Sequence, residues 1–375
     1  MVFSAIPFTT ARTIVKNRSR KRFAGTLLTA LVLAGLLLPS GGQLSAQIAS
    51  TAAAPGMRPR AYLPQVLSRQ SNAVSLGVYF PPDYGTYDQQ IRDFQSTVGK
   101  KQAIYHYFID WRPDFAFNKH LLDTIVASGS TPMITWMSIP ATGDKPLGCG
   151  DPNWNLDSIV NGAHDAYIRS FAQGMAGYGH TVLLRWGHEM NLVDYSWSGY
   201  CNNNDTGKFI TAFRHIHDIF RQQGARNVLF VWSPNYQSWP GESWNDINAY
   251  YPGDDYVDWI GVVGYNWGHS SSNSNYRWMP FTMIFDSFLR DQAARHPSKP
   301  QMIADYASVE DDGGSKTDWI AQAFAAMPYY PNLRAAIWYD HDDAGSFTVD
   351  SSQASLAAYR SAITPAQFSS QAPYP

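Results

Sequence analysis

Leu183-Leu184-Arg185-Trp186-Gly187-His188-Glu189-Met190-Asn191 begins as an apolar, strand-forming run and ends in a polar cluster led by one glutamate. Burying Arg, His, Glu and Asn together at a strand end carries a large desolvation cost unless that end opens onto a pocket where they are paired or used. An α/β barrel presents its catalytic carboxylates at such a position. The alternative is a strand end fraying into a loop, and the surrounding sequence decides between the two.

Working outward, short β-branched or aromatic runs predict strands over 75–80, 103–110, 132–139, 182–189, 228–235, 259–266, 301–308 and 333–340. Amphipathic patterns between them predict helices over 87–98, 157–178, 206–223, 281–296 and 316–327. No composition break divides this alternation, which favours one (β/α)8 TIM barrel over two domains, with a doubly wound sheet as the alternative. Where the polar residues gather separates the two folds. Nearly every predicted strand ends at its C-terminal side in aromatic and polar residues: His106 and Asp110-Trp111, Trp136, His188-Glu189, Trp232 and Asn235, Tyr265-Asn266-Trp267, Asp305-Tyr306, and Trp338 to Asp340. In a barrel these ends converge on one face.

The chain has 375 residues, enough for a sizeable core. Arg12, Lys16, Arg18, Arg20, Lys21 and Arg22 precede an apolar run, Phe23 to Leu38, and then Leu44-Ser45-Ala46, the pattern of a secretory signal peptide over 1–46. An uncleaved anchor is the alternative, although the run is short for a membrane span. Residues 47–70 are rich in Ala, Pro and Ser without clear periodicity and predict a flexible linker; the folded domain is expected over 71–365, followed by a C-terminal tail at 366–375. Removing 1–46 takes away six basic and no acidic residues from totals of 28 and 30, leaving an acidic remainder unsuited to nucleic acid or anionic lipid. Cys149 and Cys201 lie in polar loops of a chain expected to be exported, which favours a disulfide over two free thiols.

The 13 Trp, 22 Tyr and 19 Phe suit a protein that stacks sugar rings, although aromatic packing of the core accounts for most of them. Glu189 and Asp305, on the fourth and seventh predicted strands, are the carboxylates best placed to face each other across the barrel mouth. Glycoside hydrolysis needs such a pair, one protonating the leaving oxygen and the other attacking the anomeric carbon or activating water. Arg185, Gly187 and Glu189 share one strand side; if it faces the axis, Arg185 can hold Asp305 ionised while Glu189 stays protonated near Trp186, Trp232 or Tyr265. No second histidine follows His188-Glu189 at zincin spacing, so no metal site is expected. Asn202 to Gly207 departs from a calcium loop and reads as a lead-in to a helix cap at Asp205 or Thr206.

Arg185-Trp186-Gly187-His188-Glu189-Met190-Asn191 with Trp197 resembles the acid/base strand of glycoside hydrolase family 26, the β-mannanase family. The likeness continues through Val231-Trp232-Ser233-Pro234-Asn235, Tyr251 to Gly261, Met302 to Ser308, Lys316 to Trp319 and Ala336 to Asp340. The resemblance implies a barrel that hydrolyses β-linked polysaccharide with retention, using Glu189 as acid/base, His188 to hold the sugar or orient the carboxyl, Tyr265 beside the nucleophile and Trp338 as floor of the cleavage subsite. One departure stands out: Asp305 occupies the place of the family's nucleophilic glutamate. The shorter side chain withdraws its oxygens by roughly 1.5 Å. A retaining separation of about 5–5.5 Å then approaches the roughly 6.5–9.5 Å that admits a water. Three outcomes stay open: retention through an advanced backbone, inversion with Asp305 as base, or sugar binding without turnover. Glu310 is a distant substitute.

Among the other strand-end residues, Trp136, Trp232 and Trp267 either stack sugar or pack the barrel, as do Trp154, Trp239 and Trp244 in loops, while His106 joins the candidate mouth and Asp342 and Asp343 follow the last strand. The expectation is therefore a secreted, monomeric glycosidase acting on β-linked polysaccharide, first of all mannan, without cofactor or metal. A sugar-binding pseudoenzyme is the alternative.

Overall fold

The computed structural model describes residues 73–81, 86–111, 117–139, 149, 151–269, 276–310, 313–342 and 345–372. The expected signal peptide and linker lie outside the described residues, as does Asp343. No helix among the described residues is long and apolar enough to cross a membrane.

Eight parallel strands run β1 (Val74–Tyr79), β2 (Ile104–Asp110), β3 (Thr131–Met137), β4 (Val182–Trp186), β5 (Val228–Trp232), β6 (Trp259–Asn266), β7 (Gln301–Ser308) and β8 (Leu333–Tyr339). Each pairs with the next, β1 pairs with β2 from Gly77 onward, and five residue pairs join β8 back to β1, closing the barrel and excluding the doubly wound sheet. The helices are α1 (Tyr87–Val98), α2 (Lys119–Ala127), α3 (Leu156–Val160), α4 (Asp165–Tyr178), α5 (Thr206–Gln222), α6 (Phe281–Arg295), α7 (Lys316–Ala326) and α8 (Gln353–Ile363). The helix expected over 157–178 is broken at Gly162, whose φ of 81° is left-handed. Between β5 and β6 there are only two short 3₁₀ turns, Ser243–Asn245 and Ile247–Tyr250. Side-chain caps start most helices: Thr86, Asn118, Asn155, Asp205, Ser315 and Ser352 each accept a backbone N–H from the first turn.

Alternation along the strands separates two cores. Inside the barrel lie residues such as Ile104, Met133, Leu183, Val231, Met302 and Ile337, while a larger aromatic layer fills the space between barrel and helices. Strand β7 breaks the alternation at a β-bulge: Val262 pairs with Ile303 but Val263 with Asp305, and the shift recurs towards β8, where Ile303 pairs with Ala336 but Tyr306 with Trp338. Met302 and Ala304 already face inward, so strict alternation would turn Asp305 towards the helices. The extra residue turns Asp305 inward instead, and Tyr306 packs outward on Trp319 and Trp338.

Part of the expected C-terminal tail is ordered into the sheet. Phe368 and Ser369 form a short strand, β9, beside Val74 and Ser75, because the Phe368 ring is buried against Phe324 at 4.9 Å.

Candidate active site

Glu189 follows β4 through a tight turn. Gly187 has φ 64°, and a side chain there would meet the Phe209 ring at 2.7 Å. Glu189 itself has φ 52°, an unfavourable left-handed conformation for a non-glycine residue, held by its N–H donating to Ser233 O at 2.9 Å. Asn235 Nδ2 donates to Glu189 Oε1 at 2.8 Å, and the Tyr195 hydroxyl donates to Oε2 at 3.2 Å. Burial pushes the carboxyl up to about 7, with Asp305 and Asp194 adding to the rise and the Asn235 bond and Arg185 opposing it. Glu189 can therefore deliver a proton near neutral pH.

Asp305 has the opposite environment. Burial alone would raise its pKa, but the Arg185 guanidinium, helped by His106, outweighs it and holds the carboxylate below its ordinary value. Arg185 Nη2 donates to Asp305 Oδ2 at 2.5 Å, with side chains 0% and 2% exposed. His106 Nδ1 lies 3.1 Å from Oδ1, close enough for attraction but off the angle of a hydrogen bond. Behind them, Arg185 Nε donates to Thr135 Oγ1 at 2.7 Å and His106 Nε2 contacts the same hydroxyl at 2.7 Å. Three strands, β2, β3 and β4, thus each contribute one buried side chain to the support of one carboxylate on a fourth.

His188 is buried, and burial with the nearby Arg185 and His106 drives its pKa well below the ordinary value, so it is neutral. Its Nε2 meets the Tyr195 hydroxyl at 3.2 Å, and Trp197 Nε1 donates to the His188 carbonyl at 2.8 Å while stacking on Tyr195 at 4.6 Å. His188 and Trp197 therefore brace Tyr195, which holds Glu189. Tyr265 faces the mouth beside Trp267, 5.5 Å away, and its hydroxyl pKa is raised by burial and then by Asp305, Tyr339 and Glu189.

Three of the expected stacking residues do not reach the mouth. Trp338, Trp232 and Trp136 are fully buried on the outer side of the strands, against Tyr359 and Trp319, against Phe288 and Tyr251, and against Phe171 and Trp111 respectively. Their parity is opposite to that of the inward residues Ile337, Val231 and Met133. The rings of Trp186 and Trp232 consequently do not desolvate Glu189; Trp186 packs on Phe209. Tyr339, next to Trp338, takes the inward place and stacks on Tyr79 at 4.8 Å. Glu310 is held at the start of α8 by Ser351, Ser352 and Ser355 and does not substitute for Asp305. Asp342 is exposed.

Sequence reasoning missed Thr135, Tyr195 and Tyr339, and gave Asn235 no site role. Parity along β3, β5 and β8 was the available signal for Thr135, Asn235 and Tyr339; Tyr195 sits in a loop and had none. Cys149 and Cys201 form a disulfide with Cα atoms 4.8 Å apart, tying the segment after β3 to the loop after β4. Among the described residues no group of three or more His, Cys, Asp or Glu is placed to hold a metal ion.

The model of glycosyl hydrolase family 26 matches residues 156–305, a span that contains both carboxylates. Over that span the barrel matches that family. Over 279 residues, 74% of this chain, it is 37% identical to Endoglucanase H of Acetivibrio thermocellus, and the match spans 29% of that protein. It is 31% identical over 111 residues to Beta-1,3-xylanase TXYA of Vibrio sp, covering 29% of this chain and 22% of that protein. It is 31% identical over 93 residues to Mannan endo-1,4-beta-mannosidase A and B of Caldalkalibacillus mannanilyticus, covering 24% and 17%. The chain thus spans under a third of each of these relatives. Among solved structures, the Cellulomonas fimi endo-beta-1,4-mannanase double mutant superposes with a TM-score of 0.60 at 18% identity, covering 79% of this chain and 72% of that one, a likeness of fold.

Proposed function

We propose that this family 26 barrel is a secreted glycosidase that cleaves β-linked polysaccharide, with Glu189 as acid/base and Asp305 as nucleophile. One observation carries the proposal: a buried carboxyl pushed up to about 7 shares the barrel mouth with a carboxylate held ionised by Arg185. Opposed pKa values of this kind are what a two-carboxylate hydrolysis requires. In the first step Glu189 gives its proton to the glycosidic oxygen as the C–O bond breaks, and an Asp305 oxygen bonds to the anomeric carbon. In the second, Glu189 as carboxylate takes a proton from water, whose oxygen displaces Asp305 and restores both groups.

Mannan is the first substrate, on the resemblance of the acid/base strand to β-mannanases. β-Linked glucan is the second, supported by the name of the relative with the longest of the matches above. Export follows from the basic, apolar and small-residue pattern over 1–46. Sugar binding without turnover is favoured by one fact, that the shorter Asp305 side chain is 2% exposed with Oδ2 committed to Arg185.

The test is incubation of the wild type and Asp305→Glu with mannan, mixed-linkage glucan and xylan, following product anomers by NMR. Retained products from the wild type support Asp305 as nucleophile, and inverted products assign it to activating water. A silent wild type with an active Asp305→Glu supports the binding protein, and silence from both would sink the glycosidase proposal.

A further inference from the structure

We propose that Thr135 is a positioning residue that selects the Nδ1–H tautomer of His106 and thereby places the positive N–H side of the ring, within attraction distance though off the hydrogen-bond angle, next to Asp305. Thr135 touches neither carboxylate, and no sequence motif singles it out. Its Oγ1 sits between two partners, Arg185 Nε at 2.7 Å and His106 Nε2 at 2.7 Å.

The hydrogen count settles the direction of each bond. Arg185 Nε–H can only donate, so Thr135 Oγ1 accepts there and its proton is available to the other partner, the direction being fixed by what else meets His106 Nε2. Arg185 Nη2, also a donor, lies 3.4 Å from His106 Nε2. Two donors converge on Nε2, so that nitrogen is the bare one. Burial keeps His106 neutral by lowering its pKa, and its one proton therefore sits on Nδ1, 3.1 Å from Asp305 Oδ1. The opposite tautomer would bring the bare, negative side of the imidazole to the carboxylate at 3.1 Å and set an N–H against a guanidinium N–H. The ring is closed by Arg185 Nη2 on Asp305 Oδ2.

The groups facing Asp305 are His106 from β2, Arg185 from β4, Glu189 after β4 and Tyr265 from β6, with His188 beside Arg185 and His106 and Tyr339 from β8 beside Tyr265. Arg185 is a fixed charge, and the Asp305 carboxylate in turn raises Glu189 and Tyr265, which stay neutral where it ionises. The orientation of the His106 dipole is the variable part, and Thr135 sets it. For the reaction proposed above, on which the kinetic arm of the test rests, Asp305 must be anionic when substrate arrives.

The experiment compares Thr135→Val, which keeps the shape and removes the hydroxyl, with Thr135→Ser, which keeps the hydroxyl; Thr135→Ala serves if the valine variant does not fold. Nitrogen-15 NMR of the histidine side chains reads the tautomer, with His106→Asn identifying the signal. The wild type is expected to show Nδ1–H, Thr135→Val a shift towards Nε2–H, and Thr135→Ser a return to the wild-type pattern. On the preferred glycan, Thr135→Val should move the acid limb of kcat/KM up by about one pH unit and lower kcat roughly tenfold with KM within about twofold. An unchanged tautomer in Thr135→Val, or a serine variant as impaired as the valine one, overturns the proposal. If the wild type hydrolyses no glycan, the glycosidase proposal fails alone and the NMR arm still decides the role of Thr135.

Discussion

Replacing Arg185 by methionine tests the electrostatic design of the mouth directly. The guanidinium is 0% exposed, donates to Asp305 at 2.5 Å and to Thr135 at 2.7 Å, and lies 5.6 Å from the centre of the Phe108 ring. Methionine matches its length and apolar contacts but leaves the Asp305 carboxylate buried without its cation. Breaking one side of a buried pair costs about 3–5 kcal/mol when the partner stays charged, and part of this is avoided if Asp305 takes up a proton. At pH 7 a loss of about 3–5 kcal/mol corresponds to a fall in Tm of roughly 6–12 °C. Asp305 is depressed in the folded state, so its contribution in the wild type is present at neutral pH and is lost as pH falls through the carboxylate range. The gap between wild type and Arg185→Met should therefore be wide near pH 7 and narrow as pH is lowered. Urea unfolding at several pH values reads the gap, and the double variant Arg185→Met/Asp305→Asn should recover much of the stability while staying inactive. A pH-independent difference below about 1 kcal/mol would refute the idea that this pair is electrostatically coupled.

Glu189 gives a prediction of opposite sign. Its pKa is raised to about 7, so kcat/KM should fall as pH rises through about 7, and Glu189→Gln should lose most turnover on glycans with poor leaving groups. Its raised value also means that its neutral form stabilises the fold below the ordinary carboxylate range and that this stability is lost as pH rises through about 7, a slope that chemical unfolding should find missing in Glu189→Gln. Trp239 is 39% exposed in the loop after β5, with its backbone N–H donating to Asn191 O, two residues from Glu189. Trp239→Ala should raise KM for long oligosaccharides roughly fivefold to tenfold and leave short substrates unchanged, as steady-state kinetics on a chain-length series would show. The Cys149–Cys201 bridge closes a separation of 52 residues, and Cys149→Ser should cost about 4 kcal/mol by thermal or urea unfolding without moving the pH optimum.

How much of this was legible in sequence differs by feature. Leu183 to Asn191 identified the strand and its carboxylate because local composition and a period of two report which residues a strand buries. The same logic placed all eight strands close to their observed positions, since apolar runs between amphipathic segments depend on burial alone. It also favoured the disulfide, because exported cysteines in polar loops have few other fates. Choosing among strand-end aromatics failed. Trp338, Trp232 and Trp136 have the chemistry of a sugar platform but the parity of the outer core, and Tyr339 shows that the neighbour of the expected residue can be the one that faces inward.

The sequence by itself determined the alternation of strands and helices, the gathering of polar residues at one end of the barrel, and Glu189 and Asp305 as candidates. Each of these follows from local periodicity and composition. Only the tertiary structure decided that Asp305 points inward, because that depends on one extra residue in β7 and not on its strand's own pattern. Tertiary structure also assembled Thr135, His106, Arg185 and Asp305, which lie on four strands far apart in the chain. Their pairing depends on barrel closure that no local stretch reports, and it holds Asp305 charged, while burial at the barrel mouth leaves Glu189 protonated near neutral pH.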